Sequence, residues 1–271
     1  MCSSFRERAR ALLLCAVCIA PCAWSGEPLH VCADPDNLPY SHRDGRGFEL
    51  RVAELLAHEL DLPLRVHWRP QRRGFVHKSW RDAGCAVLLG VPAGIDGALT
   101  TRPYYRSSYA IVTRADDPAP LRALDDPRLR RLHVGVQLVG DDLAATPPGH
   151  LLARRGAVQR VHGFPVDGET PAAQRMLEAL AARTVDAALV WGPQAGWFAA
   201  HAAQPMALRP LRSLAAQPAL PMEYAIAVGI RPDRRELRDR IDAVLAAHVD
   251  AIDAILAQHH VPRTDRDGAS R

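Results

Sequence analysis

The spacing of apolar positions changes along this chain in step with its turn residues, and those changes divide it into elements. Leu29–Ala33 is a short apolar run closed by DPDNLPYSHRDGRG, a stretch dense in Asp, Asn, Pro and Gly. From Phe48 to Leu60 the apolar residues fall at Leu50, Ala53, Leu56, Ala57 and Leu60, one face of a helix. Leu64–Trp68 predicts a second strand and Gly74 to Ala83 a short helix. Cys85 to Val91 is an apolar run closed by Gly90, Pro92 and Gly94, the pattern of a parallel strand covered on both faces. Strand, helix, strand, helix, strand is the order of a parallel α/β lobe. Ligands of open parallel sheets sit beyond the carboxyl ends of the strands, so the loop from Gly90 to Arg102 is expected to line a cleft.

A second unit follows. Tyr109–Thr113 predicts a strand leaving the first lobe, and the polar, Pro-rich segment from Asp116 to Arg131 carries a short helix at LDDPRLR. Leu132–Val136, Val158–Gly163 and Ala187–Val190 then predict strands, with helices around His150 to Arg155 and from Pro171 to Arg183. Ala225–Gly229 predicts a return strand, and Asp233–His259 one long helix with apolar residues from Leu237 to Leu256. Two α/β lobes joined by two crossover segments, with a ligand cleft between them, make the type II periplasmic binding protein fold. The expected division is residues 26–113 plus 225–262 for the first lobe and 114–224 for the second, with a disordered tail over 263–271.

Composition adds an address. Residues 1–25 combine Arg6, Arg8 and Arg10 with the apolar stretch Ala11–Ala20, Pro21 and small residues, the pattern of a cleaved secretory signal and too short for a membrane span. Cys22 follows Pro21, a poor context for lipid anchoring, so the protein is expected free in the periplasm. The chain holds 34 Lys plus Arg against 30 Asp plus Glu; removing the leader lowers the net charge from +4 to about +2, with no electrostatic footprint for nucleic acid. Four of six cysteines fall in the leader, leaving Cys32 and Cys85 on candidate strands. In an oxidising compartment this pair suggests a disulfide; two buried free thiols are the alternative.

Candidate binding residues gather at strand ends. Asp34, Asn37 and Tyr40 follow the first strand, with Phe48 and Glu49 at the next helix start; Trp68, Arg72 and Arg73 follow the second. Two arginines beside an aromatic suit a carboxylate and a planar ring, whereas the bland reading leaves one solvated and one salt-bridged. TTRPYYRSS places Arg102, Tyr104 and Tyr105 near the crossover, with at least one tyrosine available to the core. In the second lobe Gly140, Asp141 and Asp142 lie between strand and helix, and Trp191 ends a strand ahead of Gly192 and Pro193. His162, His201, His259 and His260 are scattered in sequence, and neither an HExxH, a GxSxG, a Walker loop nor a dinucleotide fingerprint follows a suitable strand. No catalytic residue, metal or cofactor is therefore assigned.

WRPQRRGFV, GVPAG, LTTRPYYRSSY, GVQLVGDDLAATPPGHLLARRG and VWGPQAGWF, in this order, resemble the quinoprotein-dehydrogenase-associated periplasmic solute-binding-like family of the MoxJ/XoxJ type. The resemblance spans about Leu29 to His260. It implies an accessory protein, not an enzyme, that assists a PQQ-dependent alcohol (methanol) dehydrogenase and its cytochrome c by binding the enzyme or a small polar or planar ligand. Amino-acid-binding relatives of the fold carry a carboxylate where this chain has Trp191 and Gly192, and an Arg near the position of Gly94, Ile95 and Asp96. Those departures weaken the rival reading, a transport receptor for a small polar molecule. A cyclohexadienyl-dehydratase-like enzyme on the same fold is a further rival without an evident acid/base pair.

Overall fold

The computed structural model of the chain describes residues 26–71, 74–139, 144–166, 170–213 and 219–264. The expected signal segment lies outside them, as does the chain from 265 onward. The elements run β1 (Leu29–Ala33), β2 (Asp36–Asn37), β3 (Ser41–His42), α1 (Phe48–Glu59), β4 (Leu64–Trp68), α2 (Phe75–Asp82), β5 (Val87–Pro92), β6 (Leu99–Thr100) and β7 (Tyr105–Arg114). A 3-10 turn at Pro127–Arg130 leads to β8 (Val134–Val139), β9 (Ala144–Ala145), α3 (Pro147–Arg154), β10 (Val161–Pro165), α4 (Ala172–Ala181), β11 (Ala187–Trp191), α5 (Gly192–Ala200) and β12 (Met206–Pro210). The chain returns through β13 (Glu223–Ile230) to α6 (Arg235–Ala247) and α7 (Val249–Gln258).

The strands join in the order β10-β8-β11-β7-β13-β5-β1-β4, with β12 on β7, β6 on β13 and β9 on β8. At one end β4, β1 and β5 run parallel, and at the other β10, β8 and β11 do. Between them β7 and β13 are antiparallel to each other and to their flanking neighbours. The amino half of β7 pairs with β13, from Tyr105 opposite Ile226 to Ser108 opposite Glu223; its carboxyl half pairs with β11 and β12. One ten-residue strand thus belongs to two half-sheets.

Burial of both faces explains the apolar runs read from the sequence. Leu29, Val31, Val87 and Leu89 point into a core with α1, α6 and α7, where Phe48, Val52, Leu56, Ile241, Ile252 and Leu256 meet them. Cys32, Cys85, Leu88 and Val91 point the other way, against Phe75, Val76 and Trp80 around α2. Alternate residues of one strand serve opposite faces, as the pleat requires. The other half-sheet repeats the plan, with Leu151 and Leu152 of α3 on one face and Met176, Leu177 and Leu180 of α4 on the other. Among the described residues no helix is long and apolar enough to cross a membrane.

Cys32 and Cys85 are joined as a disulfide, with their Cα atoms 5.7 Å apart. The parallel pairing of β1 with β5 brings them together, since Cys32 lies opposite Leu88. The expected single helix over Asp233–His259 is broken: His248 has φ −119° and ψ 33°, and the chain turns there from α6 into α7. The His248 ring satisfies the break by donating to the Val244 carbonyl at 3.0 Å and facing Glu59 at 3.2 Å. The apolar stripe continues across the turn because both helices pack on α1, so periodicity alone could not reveal it.

The disulfide closes a loop of 53 residues and should stabilise the protein by about 2–4 kcal/mol through the unfolded chain. Urea unfolding of the oxidised protein and of the Cys32→Ala/Cys85→Ala variant measures this. Equal midpoints would show that the bond contributes nothing.

Candidate functional site

A cavity of about 530 Å³ opens where the two half-sheets meet, beyond the carboxyl ends of β1, β5, β8 and β11. Its first wall is the loop after β1. Asp34 accepts hydrogen bonds from the backbone N–H of Asp36 at 2.9 Å and of Gln71 at 2.5 Å, while Asn37 donates to the Gln71 side chain at 2.9 Å. These bonds pin the β1 loop to the loop after β4, and the turn readings of Asp34 and Asn37 are part of how they come to face the cavity.

The floor is Glu49, the second residue of α1, against Gly90 at the end of β5. Gly90 has φ +69°, and a Cβ there would collide with the Glu49 carboxyl. The positive φ favours glycine, and any larger residue would also push the Glu49 carboxyl from its place. Among the described residues the Glu49 carboxyl has neither a hydrogen bond nor an ion pair, and burial, with Asp34 nearby, raises it from the ordinary 4.5 to about 8. Tyrosine rings surround it. Tyr105 packs edge-on to Phe48 and Tyr104, with centroids 6.0 and 4.9 Å away, and burial pushes the Tyr40, Tyr104 and Tyr105 hydroxyls well above their usual range.

The opposite wall comes from the second half-sheet. Gln137 of β8, 3% exposed, donates to the Gln194 side chain at 2.8 Å and accepts from the Trp191 backbone N–H at 3.3 Å. Trp191 meets Tyr109 and Tyr224 edge-on, at 5.2 and 5.6 Å, and packs on the core of the other half-sheet. Thr146, at the start of α3, is 5% exposed and its hydroxyl has no partner among the described residues.

Helix starts normally present free N–H groups to anions. Here α3 begins with Pro147 and Pro148, α4 is preceded by Pro171, and α5 has Pro193 at its second position. Proline has no N–H, so the donors are depleted on the side of the cavity where an anion would need them. The described lining contains Asp34, Asp36 and Glu49 but no Lys, Arg or His.

The structure therefore brings Asp34, Asn37, Tyr40, Tyr105 and Trp191 to one cavity. Three other candidates lie elsewhere. Trp68 sits under the Arg43 guanidinium, 5.8 Å from the ring centroid. Arg102, with a side chain 70% exposed, is held by Asp242 of α6 through its backbone N–H at 2.6 Å and its Nε at 2.8 Å. Tyr104 belongs to the core, its hydroxyl buried beside Gly90. Arg72, Arg73, Gly140, Asp141 and Asp142 fall outside the described residues.

Sequence reasoning passed over Gln137, Thr146 and Gln194 and left Glu49 as a mere neighbour of the first loop. The available signal was an acidic residue at a helix start facing a glycine-closed strand. His201 and His259, distant in sequence, flank the Trp197 ring at 4.1 and 5.8 Å, with His260 6.1 Å from His201. Each of the first two gives its Nδ1 to a carbonyl four residues back, and no metal-binding cluster occurs among the described residues.

Comparison with known proteins matches this arrangement to the MoxJ, XoxJ and MxaJ proteins and, at lower identity, to solute-binding proteins of the same fold, among them an ancestral cationic amino acid solute-binding protein with a TM-score of 0.66 at 16% identity, covering 86% of this chain and 95% of that one. The crystal structure of the periplasmic binding protein XoxJ from Methylobacterium extorquens AM1 superposes with a TM-score of 0.73 at 32% identity, covering 88% of this chain and all of XoxJ. MxaJ from Methlophaga aminisulfidivorans MPT gives 0.72 at 22% identity, covering 87% of this chain and 99% of MxaJ. The protein MoxJ of Methylorubrum extorquens is 27% identical over 248 residues, 86% of this chain and 81% of MoxJ. No family model matches the chain.

The Glu49 carboxyl gives the cleft a pH signature. Its folded-state value of about 8 stands above 4.5, so the stability it contributes is full below pH 4.5 and is lost as pH rises through about 8. Glu49→Gln should flatten the decline in melting temperature across that window. Parallel wild-type and variant profiles would show that the carboxyl is not perturbed.

Proposed function

The chain belongs to the MoxJ/XoxJ-type family of periplasmic binding proteins, and on that premise we propose that it is an accessory factor for a PQQ-dependent alcohol dehydrogenase, assisting its maturation or activity by binding the enzyme or a small ligand. A periplasmic, solute-binding-like accessory role follows from the family; the dehydrogenase, and with it the cytochrome c, is the step we add.

The observation that carries this reading is the make-up of the cleft. Holding a free amino acid takes a cation or a set of N–H groups for its carboxylate and an acid for its amine, each a charge-assisted bond about twice as strong as a neutral one. The described lining offers acids but no cation, prolines at the helix starts, and Trp191 with Gly192 where amino-acid-binding relatives of the fold place their carboxylate. Large aromatic side chains are the residue type that anchors protein interfaces.

Calorimetry with the standard amino acids should show no binding tighter than about millimolar, a free energy near −4 kcal/mol. The dehydrogenase should be retained on the immobilised mature protein. Micromolar binding of an amino acid, with the dehydrogenase passing through, would make the protein a transport receptor instead.

A further inference from the structure

We propose that the cleft takes an organic ammonium ligand without a carboxylate, an aliphatic amine, with Glu49 as its counter-ion and Trp191 as an aromatic wall. This rests on the cleft being the working site, and adds the ligand's chemical class.

Four independent features converge on that class. Glu49 is a half-buried carboxyl facing the cavity, with no hydrogen-bond or ionic partner among the described residues. Asp34 is engaged by two backbone N–H groups, and the Asp36 side chain is 64% exposed to solvent and 3.7 Å from the His42 ring, so Glu49 is the sheltered acid of the described lining. Around it stand Tyr40, Tyr105, Tyr109 and Trp191, whose ring faces attract cations in proportion to the exclusion of water. Across the cavity the Thr146 hydroxyl, buried and without a partner among the described residues, offers an acceptor to an N–H donor.

The fourth feature is exclusion. A ligand carrying a carboxylate would meet three acids and proline-capped helix starts, with no described cation to receive it. An amine of comparable length avoids that repulsion, which separates this class from amino acids.

Protonation supplies a further handle. Asp34 faces Glu49 and opposes its charge, and the Tyr40, Tyr104 and Tyr105 hydroxyls beside it stay neutral. Below about pH 8 an arriving ammonium must displace the Glu49 proton into solvent. Affinity should therefore rise by up to about tenfold per pH unit toward pH 8 and level off above it.

The test is calorimetry of the mature protein with butylammonium, with 1-butanol as the uncharged probe and L-lysine as the carboxylate-bearing one. Butylammonium should bind, more tightly at about pH 8.5 than at about pH 6.5, while butanol and lysine do not. Glu49→Gln should weaken it by about tenfold or more, Thr146→Val should weaken it less, and Arg102→Ala, outside the cavity lining and held by Asp242, should leave it unchanged. Melting temperatures verify folding of each variant. Equal binding of butylammonium and butanol, full affinity in folded Glu49→Gln, or no binding of butylammonium at about pH 8.5 would each overturn the proposal. Retention of the dehydrogenase alongside any of these would leave the accessory role standing, whereas amine binding without retention would support the ligand class and remove the dehydrogenase.

Discussion

The antiparallel pairing of β7 with β13 is the contact on which the rest of the structure depends. A parallel α/β unit closes on itself, and two such units share a cleft only where the chain crosses between them and back. Here β7 crosses as a single strand, giving its amino half to one half-sheet and its carboxyl half to the other, and β13 returns beside it. Side chains repeat every second residue along a strand, so Tyr105 and Tyr109 fall on one face and both reach the cavity. Ser107 and Ser108, small and buried between them, leave room for close approach. The Ser107 hydroxyl donates to the Pro262 carbonyl at 2.6 Å, and a Cβ on Gly192 would collide with both serines. The crossing therefore sets the aromatic floor, the seat of α5 and the docking of the final segment at once.

Electrostatics then distinguish this cleft from a general-purpose one. Strand ends and helix starts converge on the same cavity in any sheet of this topology, and helix starts ordinarily make it hospitable to anions. Prolines at α3, α4 and α5 remove that default, and Glu49, once ionised, reverses its sign. The carboxyl is tolerated because Gly90 lets it lie against the backbone at the mouth of β5. It stays neutral over much of the pH range because burial and the nearby Asp34 charge disfavour its ionised form.

Much of the fold was legible because it is written in local periodicity. The runs at Leu29–Ala33, Leu64–Trp68 and Ala187–Val190 are strands as their composition demands, and the disulfide follows from two cysteines on neighbouring strands. The candidate site was legible only in part. Asp34, Asn37, Tyr40, Tyr105 and Trp191 sit at strand ends that topology gathers, so position along the chain was enough to find them. Arg102 stands equally close to a strand end, yet the side chain turns to Asp242, 140 residues away, which nothing near it in sequence announces.

The sequence by itself determined the alternation of elements, the two-lobed plan and the cysteine pair, since each depends on residues near one another or on their count. Tertiary structure alone decided which of two adjacent tyrosines faces the cavity, where the C-terminal helix breaks, and that the Glu49 carboxyl has no partner among the described residues. Those outcomes depend on what lies across a contact, and β7, β13 and Gly90 bring together groups whose separation along the chain carries no trace of their meeting. A carboxyl acquires an unusual proton affinity only when its surroundings are assembled, so its chemistry belongs to the fold and not to the residue.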